Sequence, residues 1–373
     1  MKKLLLLAAV AMAFGASAQT LTLNWKHDVA NALPGGDCRQ AVGLGGKIYV
    51  NNKSDKKVYI VSQDGVEAQT LSGGGNTAIN IDEAGNLVIS DAAFPNTWPT
   101  DVASIKVLNP TTLQEANYTV PAEALGSMGR CDVLGQALGN LLETGTLALQ
   151  GTGSTGFTIV NIAEGKVDLD YSYCATTGDV TIAGNNQGIS SLYTVGDGDI
   201  KLLFRLRNGN PMFFIPDGEN FALEKEYKLL HRGNASGCDY FVLNGKPYYV
   251  QNTTIGTANY LDGFAVWDLS AEPDADGFIA PVAEVDAKVS VKPNGNNYNN
   301  QLYAEVVNDY EAKIYQYYAD GFCAQYTFSL PQEGTGISDV TAKKAEVKKV
   351  IENGQIYIIN GDAKYNVMGA QVK

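Results

Sequence analysis

Histidine is almost missing from this chain: His27 and His231 are the only two. A histidine metal centre needs several convergent imidazoles, and a catalytic relay needs one held beside a nucleophile, so two isolated residues argue against both. Cysteine is scarce and odd in number, with five residues: Cys38, Cys131, Cys174, Cys238 and Cys323. They are far apart and form no C-x-x-C pair, so neither a zinc framework nor a small disulfide scaffold is indicated, and the odd number leaves at least one thiol unpaired. Their expected role is that of small buried hydrophobes. Charged residues make up 18% of the chain, and basic groups are the minority, 27 against 40 acidic, for a net charge of −13. Such a surface repels phosphate backbones, so neither nucleic acid nor an anionic membrane is an expected partner. No long amphipathic helix is legible between Thr20 and Leu330. No G-x-S-x-G elbow, P-loop or dinucleotide fingerprint stands in a strand-to-helix context, and no cofactor is expected. Asp274-Ala275-Asp276-Gly277 lacks the spacing and terminal Glu of a calcium loop and reads as a turn, so no metal is expected either.

The one sustained apolar run, Leu4 to Phe14, is too short to span a bilayer. Lys2-Lys3 before it and Ala16-Ser17-Ala18 after it complete the pattern of an export signal over residues 1–18. The expected location is therefore the periplasm, the outer cell surface or the medium, with no transmembrane segment. The rest is rich in turn and strand formers, with 40 Gly and 20 Tyr.

Three stretches begin alike. Gly36-Asp37-Cys38-Arg39, Gly129-Arg130-Cys131-Asp132 and Gly237-Cys238-Asp239 each precede a turn and an apolar strand. Around them, runs of four to eight residues are punctuated by Gly, Asn and Asp and fall into six groups of three or four strands. Self-similarity of this kind predicts an all-β chain folded as a β-propeller over residues 19–333, with six four-stranded blades and five or seven as alternatives. A pair of β-sandwiches accounts for the strands but not for the recurrence. The last group shows three strands, and Leu21 to Lys26 is a strand without a group, so the N-terminal strand is expected to complete the last blade and close the ring.

Residues 334–373 begin as a polar linker and end in a short β meander marked by Asn353-Gly354 and Asn360-Gly361. Gly336-Ile337-Ser338-Asp339-Val340, Gly354 to Ile358 and the closing run Lys364 to Lys373 resemble the C-terminal sorting domains of secreted Bacteroidetes proteins, the substrates of type IX secretion. The resemblance covers about a tenth of the chain and rests on Tyr365, Asn366, Gly369 and Val372 in the last strand. It implies recognition of the tail by secretion machinery.

A motif that opens alternate blades lies at or before their innermost strands, which line the central channel. That makes Arg39, Asp132 and Asp239 the candidate ligand-binding residues, near one mouth of the channel. No catalytic residue stands out. The crowd of tyrosines from Tyr248 to Tyr318 either fills the space between blades or offers faces on which sugars stack; filling is the expected use. The functional expectation is an exported, non-enzymatic binding module for a glycan or a surface protein. A propeller glycoside hydrolase or polysaccharide lyase, and a structural surface protein or adhesin, are the alternatives.

Overall fold

The structure, a computed structural model, describes residues 19–34, 38–73, 78–90, 102–121, 130–134, 137–152, 156–176, 189–195, 199–205, 209–233, 237–253, 262–286, 300–331, 347–352, 355–360, 363–366 and 371–372. The chain divides into two units, Met1–Leu330 and Pro331–Lys373. The described residues are strands and turns without a helix.

The first unit is a six-bladed β-propeller of antiparallel sheets. Its first strand, β1 (Thr20–Asp28), is set aside for the last blade. Blade 1 holds β2 (Cys38–Leu44), β3 (Lys47–Asn52), β4 (Lys57–Ser62) and β5 (Gly65–Ser72). Blade 2 holds β6 (Ile79–Ile81), β7 (Leu87–Ser90), β8 (Val102–Leu108) and β9 (Glu115–Pro121). In blade 3 the inner strand is split into β10 (Arg130–Leu134) and β11 (Leu138–Asn140), both paired with β12 (Thr144–Thr152). The same blade continues with β13 (Gly156–Ala163) and β14 (Lys166–Thr176). Blade 4 holds β15 (Ile189–Val195), β16 (Asp199–Arg205), β17 (Pro211–Asp217) and β18 (Asn220–Glu226). Blade 5 holds β19 (Cys238–Leu243), β20 (Lys246–Asn252), β21 (Phe264–Asp268) and β22 (Ala283–Val285). Blade 6 contributes β23 (Asn300–Asn308), β24 (Glu311–Tyr318) and β25 (Phe322–Ser329). The expected closure is present: β1 pairs antiparallel with β25 from Thr20↔Ser329 to Asp28↔Phe322, the fourth and outermost strand of blade 6.

Period-2 alternation gives each blade two apolar faces, and each face meets the neighbouring blade. Five apolar clusters follow the seams. One runs through blade 1 into both neighbours, joining Val50 and Val61 to Tyr315 and Tyr317 of blade 6 and to Ile79 and Leu87 of blade 2. The others join blade 2 to 3 (Val107, Leu147), 3 to 4 (Ile159, Phe214), 4 to 5 (Phe213, Trp267) and 5 to 6 (Val250, Phe328). Tyrosines do fill the seams: Tyr248, Tyr249, Tyr315, Tyr317 and Tyr318 are at most 2% exposed. Tyr260 and Tyr298 lie outside the described residues.

The second unit contains β26 (Val347–Glu352), β27 (Gln355–Asn360), β28 (Ala363–Asn366) and β29 (Gln371–Val372) as one antiparallel sheet. Where the sequence predicts a single last strand, pairing of Tyr365 with Gln371 turns that segment back on itself as a hairpin. Tyr365 and Asn366 stand on β28 and Val372 on β29, while Gly369 lies outside the described residues.

Gly43 marks how tightly the closing seam is packed. A Cβ there would fall 2.0 Å from Tyr315 Cγ, on a ring anchored in blade 6. Gly43→Ala forces that ring or the strand aside. The expected result is a loss of about 1–3 kcal/mol, the usual cost of overpacking, read as a lower urea midpoint at unchanged slope.

Candidate functional site

The innermost strands run the same way around the channel. Gly237, just before β19, lies so close to β23 that a Cβ there would meet Asn300 O at 2.0 Å, so the starts of these two strands adjoin. At the opposite end Gly45 N, in the turn after β2, donates to Glu305 Oε1 at 2.9 Å. The channel therefore has a loop end, where inner strands begin, and a turn end, where they finish. Connections at the loop end run through residues 91–101, 122–129, 177–188, 254–261 and 287–299, outside the described set. At the turn end Gly45-Gly46 (φ 58° and 84°) and Asn244-Gly245 (φ 48° and 72°) make two-residue hairpins, with the left-handed backbone such turns require.

All three sequence-predicted site residues stand at the loop end of inner strands, on blades 1, 3 and 5. Arg39 and Asp132 share one backbone situation. The ladder skips Arg39 between Cys38↔Asn52 and Gln40↔Asn51, and it skips Asp132 between Cys131↔Gly151 and Val133↔Gln150. Each is the extra residue of a β-bulge, left out of the pairing ladder. Asp239 differs: it stays in register opposite Val250 and is 5% exposed. Its Oδ1 accepts from Tyr240 N and its Oδ2 from Ala304 N of blade 6, each at 2.8 Å. The carboxylate thus fastens blade 5 to blade 6.

The loop end has a second feature that the sequence reading missed: a layer of buried amides. Gln40 Oε1 accepts from Ile79 N at 3.2 Å. Gln251 Nε2 donates to Gly233 O at 2.8 Å, and Gln316 Nε2 donates to Asp262 O at 2.6 Å and to Asn300 Oδ1 at 2.9 Å. Asn300 Nδ2 reaches Gly263 O at 3.3 Å. These side chains satisfy backbone groups where the chain enters or leaves a blade. Two members keep capacity in reserve: both amide atoms of Asn252 and the Oε1 of Gln316 are buried without a hydrogen-bond partner. The signal for this layer was present, since Tyr49-Val50-Asn51-Asn52 and Tyr249-Val250-Gln251-Asn252 repeat the same ending on β3 and β20.

At the turn end lies a cavity of about 440 Å3 bounded by four blades and the split strand of a fifth. Leu44, Ile81, Leu138, Phe241 and Val306 give apolar walls, and Asp82, Glu83 and Glu305 add carboxylates. Asp82 Oδ2 accepts from Asn86 Nδ2 at 2.8 Å and Leu141 N at 2.9 Å; Glu83 Oε2 accepts from Gly139 N at 2.7 Å. Glu305 also accepts from the Tyr315 hydroxyl, which itself accepts from Gly46 N at 2.9 Å. Burial pushes Tyr303 well above the usual tyrosine value, helped by the negative charges of Asp239, Glu305 and Asp82. Burial likewise pushes Tyr240 up to about 12. Among the described residues no group of His, Cys, Asp or Glu has the arrangement of a metal site.

No family model and no curated protein matches this sequence. Among solved structures, a DUF4623 family protein from Bacteroides eggerthii is similar at 14% identity and a TM-score of 0.55, over 84% of this chain and 77% of that one. A protein of unknown function from Bacteroides caccae aligns at 12% identity and a TM-score of 0.42, over 74% of this chain and 96% of its own. A Trypanosoma rangeli sialidase in complex with sialic acid aligns at 8% identity and 0.45, over 78% and 53% of the respective chains. At these identities the likeness concerns the fold, and only the first is close enough to bear on it.

Asp239→Ala removes the acceptor of two backbone donors in a buried seam. The expected cost is about 1–3 kcal/mol, the penalty for stranding a buried donor, measured as a drop in urea midpoint. A variant as stable as the parent would show that the carboxylate is not a fastener.

Proposed function

We propose that this chain is an exported binding module that engages a glycan at the loop end of its propeller. The observation that carries the reading is the layer of buried amides at that end, in which both amide atoms of Asn252 and the Oε1 of Gln316 have no hydrogen-bond partner. Amides donate and accept from one plane, as vicinal hydroxyls do, so a polyhydroxylated neutral ligand completes them where an anion or cation does not. Loops held at the ends of rigid strands are where such recognition concentrates. Arg39 and Asp132, each at a bulge, are the charged contacts in this reading, together with Asp239.

The hydrolase alternative is the weaker one on chemical grounds. Tyr303 feels the negative charges of Asp239, Glu305 and Asp82, and a glycosidase of this kind would need it as a nucleophile. Burial and those same charges push its pKa up and keep it protonated, the reverse of activation. Export through residues 1–18, and delivery to the cell surface by the sorting-like tail with Tyr365, Asn366, Gly369 and Val372, belong to the same proposal.

A glycan array probed with residues 19–333 tests the binding reading. Saturable binding to a neutral oligosaccharide is expected, weakened at least about tenfold by Arg39→Ala or Asp132→Ala, as loss of a polar ligand contact predicts. Binding unchanged in both variants, or none across the array, contradicts it. Fractionation of cells carrying the chain with and without residues 334–373 tests the tail, with an unchanged location as the contrary outcome.

A further inference from the structure

The cavity at the turn end is a separate site, and we infer that it receives a lysine side chain of a partner protein, with apolar residues flanking that lysine seated on the cavity's lip. Three observations on the cavity carry this. First, the charge on its described lining has one sign: Asp82, Glu83 and Glu305 line it, and no Lys or Arg is among the described residues that do. Their oxygens accept hydrogen bonds from backbone N–H groups, an amide and a hydroxyl, all neutral, so the bonds orient the carboxylates without cancelling their charge. Carboxylates held in a recess with low-dielectric walls concentrate negative potential there. Second, Leu44, Ile81, Leu138, Phe241 and Val306 place hydrocarbon between the carboxylates, which suits the four-carbon stem of lysine below its compact ammonium. A bare divalent cation gains nothing from those walls and would have to displace the donors already bound to the oxygens. Third, the lip is apolar and uncovered: Val242 is 44% exposed and Val306 48%, and the next residue, Val307, is 51% exposed. Valines left open beside a charged recess match a peptide with apolar residues on either side of its cation, rather than a free small amine.

The site lies at the opposite end of the channel from the glycan reading and does not depend on it. The test is calorimetric titration of the full mature chain with acetyl-Leu-Lys-Leu-amide, the same peptide with norleucine for lysine, and calcium chloride alone. The lysine peptide is expected to bind saturably, at least about tenfold more tightly than the norleucine peptide, and to weaken as salt rises from about 0.05 to 0.5 M. Glu83→Gln keeps an oxygen for Gly139 N while removing one charge, so it is expected to keep the parental melting temperature and weaken the lysine peptide several-fold. Val306→Ser should weaken both peptides. Equal affinity for the two peptides, insensitivity to Glu83→Gln in a chain that melts normally, or binding of calcium but of neither peptide would each overturn the proposal.

Discussion

Everything in the propeller depends on the apolar contact between one blade and the next. A single antiparallel sheet with two greasy faces has no stable existence in water, and six of them become a protein only by covering one another. The magnitudes favour this ordering of causes. Burying one large side chain such as Trp267 or Phe214 contributes about 1.5–3 kcal/mol, whereas a single internal hydrogen bond nets about 0.5–1.5. Each seam holds several such side chains, so apolar burial supplies the cohesion and the polar bridges set where along the seam the blades stop sliding.

Those bridges differ between the two ends of the channel, and the difference bears on function. At the loop end they are amides, neutral and partly unsatisfied; at the turn end they are carboxylates, satisfied as acceptors but uncompensated in charge. Asp239 at the loop end is the exception, and each of its carboxylate oxygens accepts from a backbone N–H. One frame of this kind carries a layer of buried amides at one end and an electronegative recess at the other. The proposed glycan and the proposed lysine are the ligand chemistries that match each.

Much of the architecture was legible because it repeats. The Cys-plus-charge stretches do open blades 1, 3 and 5, and the lone strand from Leu21 to Lys26 does complete blade 6. The equivalence of the three charged residues was only partly legible: Arg39 and Asp132 are bulged and Asp239 is not, a distinction made by pairing register, which a single strand's sequence does not encode. The amide layer was written in the repeated endings of β3 and β20, but its meaning needed the neighbouring blade. Glu83 and Glu305 carried no local signal at all. Each is an ordinary polar residue in its own segment and becomes part of a site only when the ring brings blade 2 and blade 6 to the same axis.

The ring itself is the claim on which the rest stands, and its closing strand can be removed. Hydrogen exchange of residues 19–373 with and without residues 19–28 measures this directly. With β1 gone, β25 becomes a bare edge and blade 6 loses a strand. The account predicts strong loss of protection in β24 and β25, spreading to β2 and β3 across the closing seam, while β16 and β17 of blade 4 change least. Unchanged protection of β24 and β25 in the shortened chain would contradict it.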